Sequence, residues 1–206
     1  MVGRARVDEA ATLDEVMDIL RPALNGGVKV EKDEKEQEDQ AARGPSTTQL
    51  TMLKQLSEDS WRYDPSHGGD ALQKSWHLIS DISVEFLRYT QQTVSQTFRL
   101  GDHCGMLVME LTKNLLDGRV TERDIVPLVV VKHRKKFWVV HGNRRLKALK
   151  EFHRQLGGKV YVRCILHDPK SKDGVPCSVM AKLLLHFSTQ TDGRLAEFGG
   201  QRRQQR

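Results

Sequence analysis

Residues 127–150, PLVVVKHRKKFWVVHGNRRLKALK, leave little freedom in how this chain can fold. Two β-branched and aromatic runs, 128–131 and 137–140, flank a charged turn and predict a β-hairpin. The second run enters a helix through His141, Gly142, Asn143, Arg144 and Arg145. Gly142 lets the backbone turn without a Cβ clash, and Asn143 is a good N-cap. The Gly157-Gly158 pair supplies the stop, so the helix is predicted over 143–156. In it Leu146, Leu149, Phe152 and Leu156 form an apolar stripe, while Arg145, Lys147, Lys150 and Arg154 are expected in solvent.

The first turn of that helix is chemically unusual. Arg144 and Arg145 place two cations at the positive end of a helix dipole, which is unfavourable unless an anion sits there too. Free backbone N–H groups, the dipole and a guanidinium together predict a phosphate site at His141, Gly142, Asn143, Arg144 and Arg145. Adjacent helical residues point about 100° apart, so one arginine at most grips a given phosphate directly.

Gly142-Asn143-Arg144-Arg145-Leu146-x-Ala148 after a strand resembles the G-x-x-R strand-to-helix turn of the ParB/sulfiredoxin-like fold. The upstream order fits as well: Gln96 to Asp102, a helix to Leu116, Asp117-Gly118, then Ile125-Val126-Pro127. The resemblance covers roughly residues 94–168 and implies a small mixed α/β (α+β) sheet with packed helices. It also implies that Arg145, the last residue of the turn, is the phosphate ligand. ParB proteins usually carry a glutamate where Asn143 stands, and sulfiredoxin carries its reactive cysteine within the turn. None of Cys104, Cys164 or Cys177 lies there, so peroxiredoxin repair is not expected. A full ParB would add a helix-turn-helix domain after the core, and the residues from Asp168 onward are too few for one.

Charge points the same way. The formal net charge is +6, but residues 1–60 hold 8 Lys/Arg against 13 Asp/Glu, so the remainder carries the positive excess. Between Lys132 and Arg154 stand nine basic residues and one acidic, Glu151. Lys132, Arg134, Lys135 and Lys136 on the hairpin are the expected patch for a polyanion. The cysteines form neither a disulfide framework nor a zinc pattern, and the histidines lack metal-ligand spacing, so no metal site is expected. Asp102, Glu110, Glu122 and Asp124 read as caps, turn residues or helix-face charges. No apolar run approaches a membrane span and no secretory signal is visible; a cytoplasmic or nuclear protein without a membrane partner is expected.

The chain divides into an N-terminal helix and acidic flexible linker (1–45), a helical extension packed on the core (46–93), the core (94–168), and a C-terminal helix with a disordered basic tail (169–206). Within the extension, helices are predicted over 46–58 and 70–92. Within the core, a helix is predicted over 102–116, a short turn-helix at 121–124 and a strand at 159–166. Residues 29–45 and 199–206 offer almost no apolar surface to offset ordering entropy. The expected function is a ParB-like domain binding a nucleotide or nucleic acid, with CTP or ATP and Mg2+ as the implied cofactors. Two alternatives stay open: a nuclease or nucleotide-dependent phosphotransfer enzyme, and an inactive scaffold for protein contacts.

Overall fold

A computed structural model describes residues 47–67, 75–101, 103–189 and 191–199. The expectations for 1–45, 200–206, 70–74 and Asp102 lie outside them. Five strands form one mixed sheet: β1 (Ile79–Ser83), β2 (Leu87–Tyr89), β4 (Leu128–His133), β5 (Lys136–His141) and β6 (Tyr161–His167). Their spatial order is β1-β6-β4-β5-β2. β6 runs antiparallel to β1 and parallel to β4, β4 and β5 form the antiparallel hairpin, and β2 lies parallel to β5. A minor parallel pair joins β3 (Thr93–Val94) to β7 (Glu197–Phe198).

Helices cover both faces of the sheet. β4 alternates its side chains between them, with Leu128 and Val130 facing one core and Val129 and Val131 the other. A strand buried on both sides reads as a continuous apolar run, as residues 128–131 do. On the first face α2 (Val108–Leu116) and α3 (Asn143–Leu156) contribute Leu111, Leu115, Leu146, Leu149 and Phe152. Thr112 ties the two helices by donating to the Ala148 carbonyl. On the second face α1 (Thr47–Glu58) and α4 (Cys177–Leu185) pack together, burying Leu53, Val179, Met180 and Leu183.

Several expectations need correction. Residues 79–89 are not helical; they form both edge strands of the sheet, separated by a 3-10 turn at Val84–Phe86. The 3- and 4-residue spacing of Ile79, Ile82 and Phe86 mimics a helix, but Ile82 is buried while Phe86 is exposed. α2 begins at Val108 instead of 102, because the preceding segment turns through Gly101 and Gly105, both with positive φ. Asn143 is not the N-cap: Gly142 holds that position at φ 99°, and Asn143 is the first helical residue. Lys147 and Lys150 are not simply solvated, since they lie over the rings of Phe198 and Tyr89. Among the described residues no helix is long and apolar enough to cross a membrane.

Candidate functional site

β5 delivers its end to the head of α3 through a single left-handed residue. A Cβ on Gly142 would stand 2.6 Å from Leu128 Cδ2 and 3.0 Å from Arg145 Nε, so only glycine fits that bend. Leu146 is the first residue of α3 to donate into the helix, to the Gly142 carbonyl at 2.8 Å. The amides of Asn143, Arg144 and Arg145 therefore precede the helical ladder. All five residues from His141 to Arg145 line one cavity of about 370 Å³. The sequence-derived turn is thus assembled as a unit.

Its side chains take different roles from those the sequence suggests. Arg145 is not solvated as the helix pattern predicts but buried at 5% exposure, because its charge is met by a carboxylate inside the protein. Its guanidinium donates to the carbonyls of Val126 (2.8 Å) and Pro127 (3.2 Å) and to Asp64 Oδ1 (3.2 Å). The Asn143 amide donates to Thr90 Oγ1 and to the Val139 carbonyl, both at 3.1 Å, clamping the end of β2 against β5. Arg144 keeps partial exposure and spends one N–H on the Thr97 carbonyl at 3.0 Å. Of the two arginines, Arg144 is the more exposed and is held by one hydrogen bond against the three of Arg145, so it has more of its five N–H donors left for a ligand in the cavity.

Asp64 is the residue that sequence reasoning missed. It sits between two 3-10 turns, Asp59–Tyr63 and Pro65–His67, that follow α1. Its Oδ1 also accepts from Ser66 N–H (3.0 Å) and Ser66 Oγ–H (2.7 Å), a local turn geometry that fixes the carboxylate. Oδ2 stands 3.3 Å from His141 Nδ1 and 3.5 Å from His67 Nδ1. Burial alone would raise its pKa, but the His141 hydrogen bond and the Arg145 charge outweigh burial and hold the carboxyl well below the usual carboxylate range. Asp64 is therefore an anion that neutralises Arg145 inside the protein. The only sequence signal for it is the Asp-Pro-Ser turn, which says nothing of a partner 81 residues away.

His141 reaches Asp64 because of a register shift. β4 and β5 pair Val130 with Val139 but Val129 with His141, so the ladder contains a bulge at Val140. The extra residue puts His141 opposite Val129, on the face covered by α1 and α4, beside Val140 of the same core. His141 is buried, and its Nε2 has no hydrogen-bond partner among the described residues.

The rest of the lining is mixed. Lys182 of α4 contributes a cation whose pKa is lowered by burial and partly restored by Asp64. Trp61, half-exposed, stands at the rim with its ring 6.3 Å from that of His67. Phe98 and His103 form a second ring pair with centroids 5.4 Å apart. Among the described residues no group of three or more His, Cys, Asp or Glu is placed to hold a metal ion.

The hairpin cations are not part of this site. The β4–β5 turn lies at the far end of β5 from His141, about 17 Å away at 3.3 Å per residue. Lys132 is paired with Asp168 at 2.7 Å, and Lys136 with Asp192 at 2.6 Å. Arg134 and Lys135 occupy the turn itself with positive φ. Cys164, buried in β6 with its thiol pushed up to about 12 by burial, lies outside the cavity lining, as do Cys104 and Cys177. Compared with models of known protein families the chain matches none, and no curated protein matches it.

Proposed function

We propose that this chain is a divergent ParB/sulfiredoxin-like domain that binds the phosphate of a nucleotide at the Gly142–Arg145 turn. The observation that carries the reading is the opening of the α3 amino end, with Arg144 beside it, onto a cavity of about 370 Å³. That volume is within the range of small-molecule sites, and the helix start supplies N–H donors and dipole for an anion. Arg144 adds a charge-assisted contact, and Lys182 of α4, which also lines the cavity, adds attraction. Arg145 serves by bracing the turn against the segment before β4.

A nucleotide suits the cavity better than a nucleic-acid strand does. The hairpin cations that would follow a polymer backbone lie about 17 Å from the turn, and two of the four are already paired with carboxylates. Trp61 and the Phe98–His103 pair offer ring faces for a base within the same enclosure. With CTP or ATP, Mg2+ would travel on the phosphates themselves. A thermal-shift panel of CTP, ATP, GTP and inorganic phosphate, with and without magnesium, tests the reading. A ligand that binds only the folded state raises the melting temperature, and the rise should be clearly smaller in Arg144→Ala at the same ligand concentration. No shift with any nucleotide at millimolar concentration would overturn it.

A further inference from the structure

We infer that the cavity is a reaction site: His141, held by Asp64, is the proton-transfer group for hydrolysis of a phosphate ester or anhydride bound at the head of α3. This rests on the phosphate-binding reading above. The bulge at Val140 spends a residue of β5 to bring His141 onto the Asp64 side of the sheet. There the imidazole is gripped at one nitrogen only, with Nδ1 3.3 Å from Asp64 Oδ2. In the neutral imidazole, a carboxylate at that distance selects the tautomer with the proton on Nδ1 and the lone pair on Nε2. Asp64 is kept ionised by Arg145, whose guanidinium holds the other carboxylate oxygen at 3.2 Å.

Nε2 is the atom left over. It is buried and has no hydrogen-bond partner among the described residues, which costs free energy unless a bound group or water satisfies it. Only Gly142 separates His141 from the first amide of α3, so a phosphate on those amides lies next to the imidazole along the chain. The charged and titratable groups around the pair come from every neighbouring element: Arg145 from α3, His67 from the 3-10 turn, Lys182 and His186 from α4, and His167 from β6. Arg144 of α3 and His103 also line the cavity, and Asp64 and Glu58 are its two acidic residues, so the described lining is basic in balance, which favours a phosphate bearing negative charge.

The step balances with water as co-reactant. Nε2 takes a proton from the water as its oxygen forms the new bond to phosphorus. The bond from phosphorus to the departing oxygen breaks with its electron pair, and that oxygen receives the proton from Nε2. Asp64 touches no reacting atom and is a positioning residue.

The test measures turnover and binding side by side, with ATP, CTP and bis(p-nitrophenyl) phosphate as probes. The unmodified protein should hydrolyse at least one of them. His141→Asn keeps an N–H to donate to Asp64 but has no basic nitrogen, so kcat should fall by about a hundredfold or more while the nucleotide thermal shift persists. Added imidazole should restore part of the turnover lost in His141→Ala, which a purely structural role would not produce. Equal kcat in His141→Asn, or failure of imidazole to rescue the alanine variant, overturns the assignment. Nucleotide binding without turnover by the unmodified protein overturns it and leaves the proposed function standing, whereas absence of binding overturns both.

Discussion

Arg144 and Arg145 are neighbours in the chain, yet replacing each with alanine should have opposite consequences. Arg145→Ala removes the counter-charge of Asp64, a carboxylate buried to a few per cent exposure, together with donors to the Val126 and Pro127 carbonyls. Breaking a buried ion pair from one side costs about 3–5 kcal/mol, since the remaining charge stays uncompensated. For a chain of this length that corresponds to a fall in melting temperature of roughly 6–20 °C. Arg144→Ala loses one hydrogen bond from a partly exposed side chain, about 0.5–1.5 kcal/mol of stability. Its phosphate contact is worth about 1.5–3 kcal/mol, so affinity for a nucleotide should drop about ten- to a hundredfold. Urea unfolding and calorimetric titration on both variants separate the two effects. Because Asp64 and Arg145 act as a pair, Asp64→Asn combined with Arg145→Ala should be less destabilising than the two losses added, by about 0.5–3 kcal/mol. If Arg145→Ala keeps the unmodified stability within about 1 kcal/mol and loses ligand, Arg145 is the phosphate ligand and the buried-pair reasoning is refuted.

Gly142→Ala should destabilise by about 1–3 kcal/mol and weaken ligand binding, because its φ of 99° and the 2.6 Å approach to Leu128 leave no room for a Cβ; unchanged urea midpoints would contradict this. His167 is buried, and burial lowers its pKa from 6.5 to about 4. A base with a depressed folded pKa is less protonated folded than unfolded, so stability is full above about pH 6.5 and falls as pH drops toward 4, by up to about 3 kcal/mol. His167→Leu should flatten that window in urea melts at pH 7 and pH 4.5. Lys135→Ala should leave nucleotide affinity within about twofold and change only its salt dependence, since the hairpin tip is more than a Debye length from the turn; a loss equal to that of Arg144→Ala would put the hairpin in the site.

The segment from 128 to 167 was legible because its signals are local. β-branched runs mark β4 and β5, Gly142 and Gly157 bracket α3 with left-handed residues, and the helix spans Asn143–Leu156 as its punctuation predicts. β1 and β2 were not legible. They are short, contain Ser, Asp and Arg, and exist only because they pair with β6 and β5, dozens of residues later in the chain. The cluster at the turn was readable from its residue types, but the division of labour within it was not. Whether Arg145 faces a ligand or an internal carboxylate depends on Asp64, and whether His141 faces Asp64 depends on a bulge that adds no recognisable residue. The hairpin cations show a further limit of local reading: Lys132 and Lys136 of the basic run are paired with Asp168 and Asp192, which arrive from other parts of the fold.

The central claim is that the start of α3 holds a phosphate. Amide chemical shifts followed by 1H–15N correlation NMR during titration with a nucleotide report on it residue by residue. The largest changes should fall on Gly142, Asn143, Arg144 and Arg145, with smaller ones at Trp61 and His103 and none at Arg134 and Lys135. Changes centred on the hairpin tip, or spread evenly over the basic residues without a maximum at the turn, would contradict it.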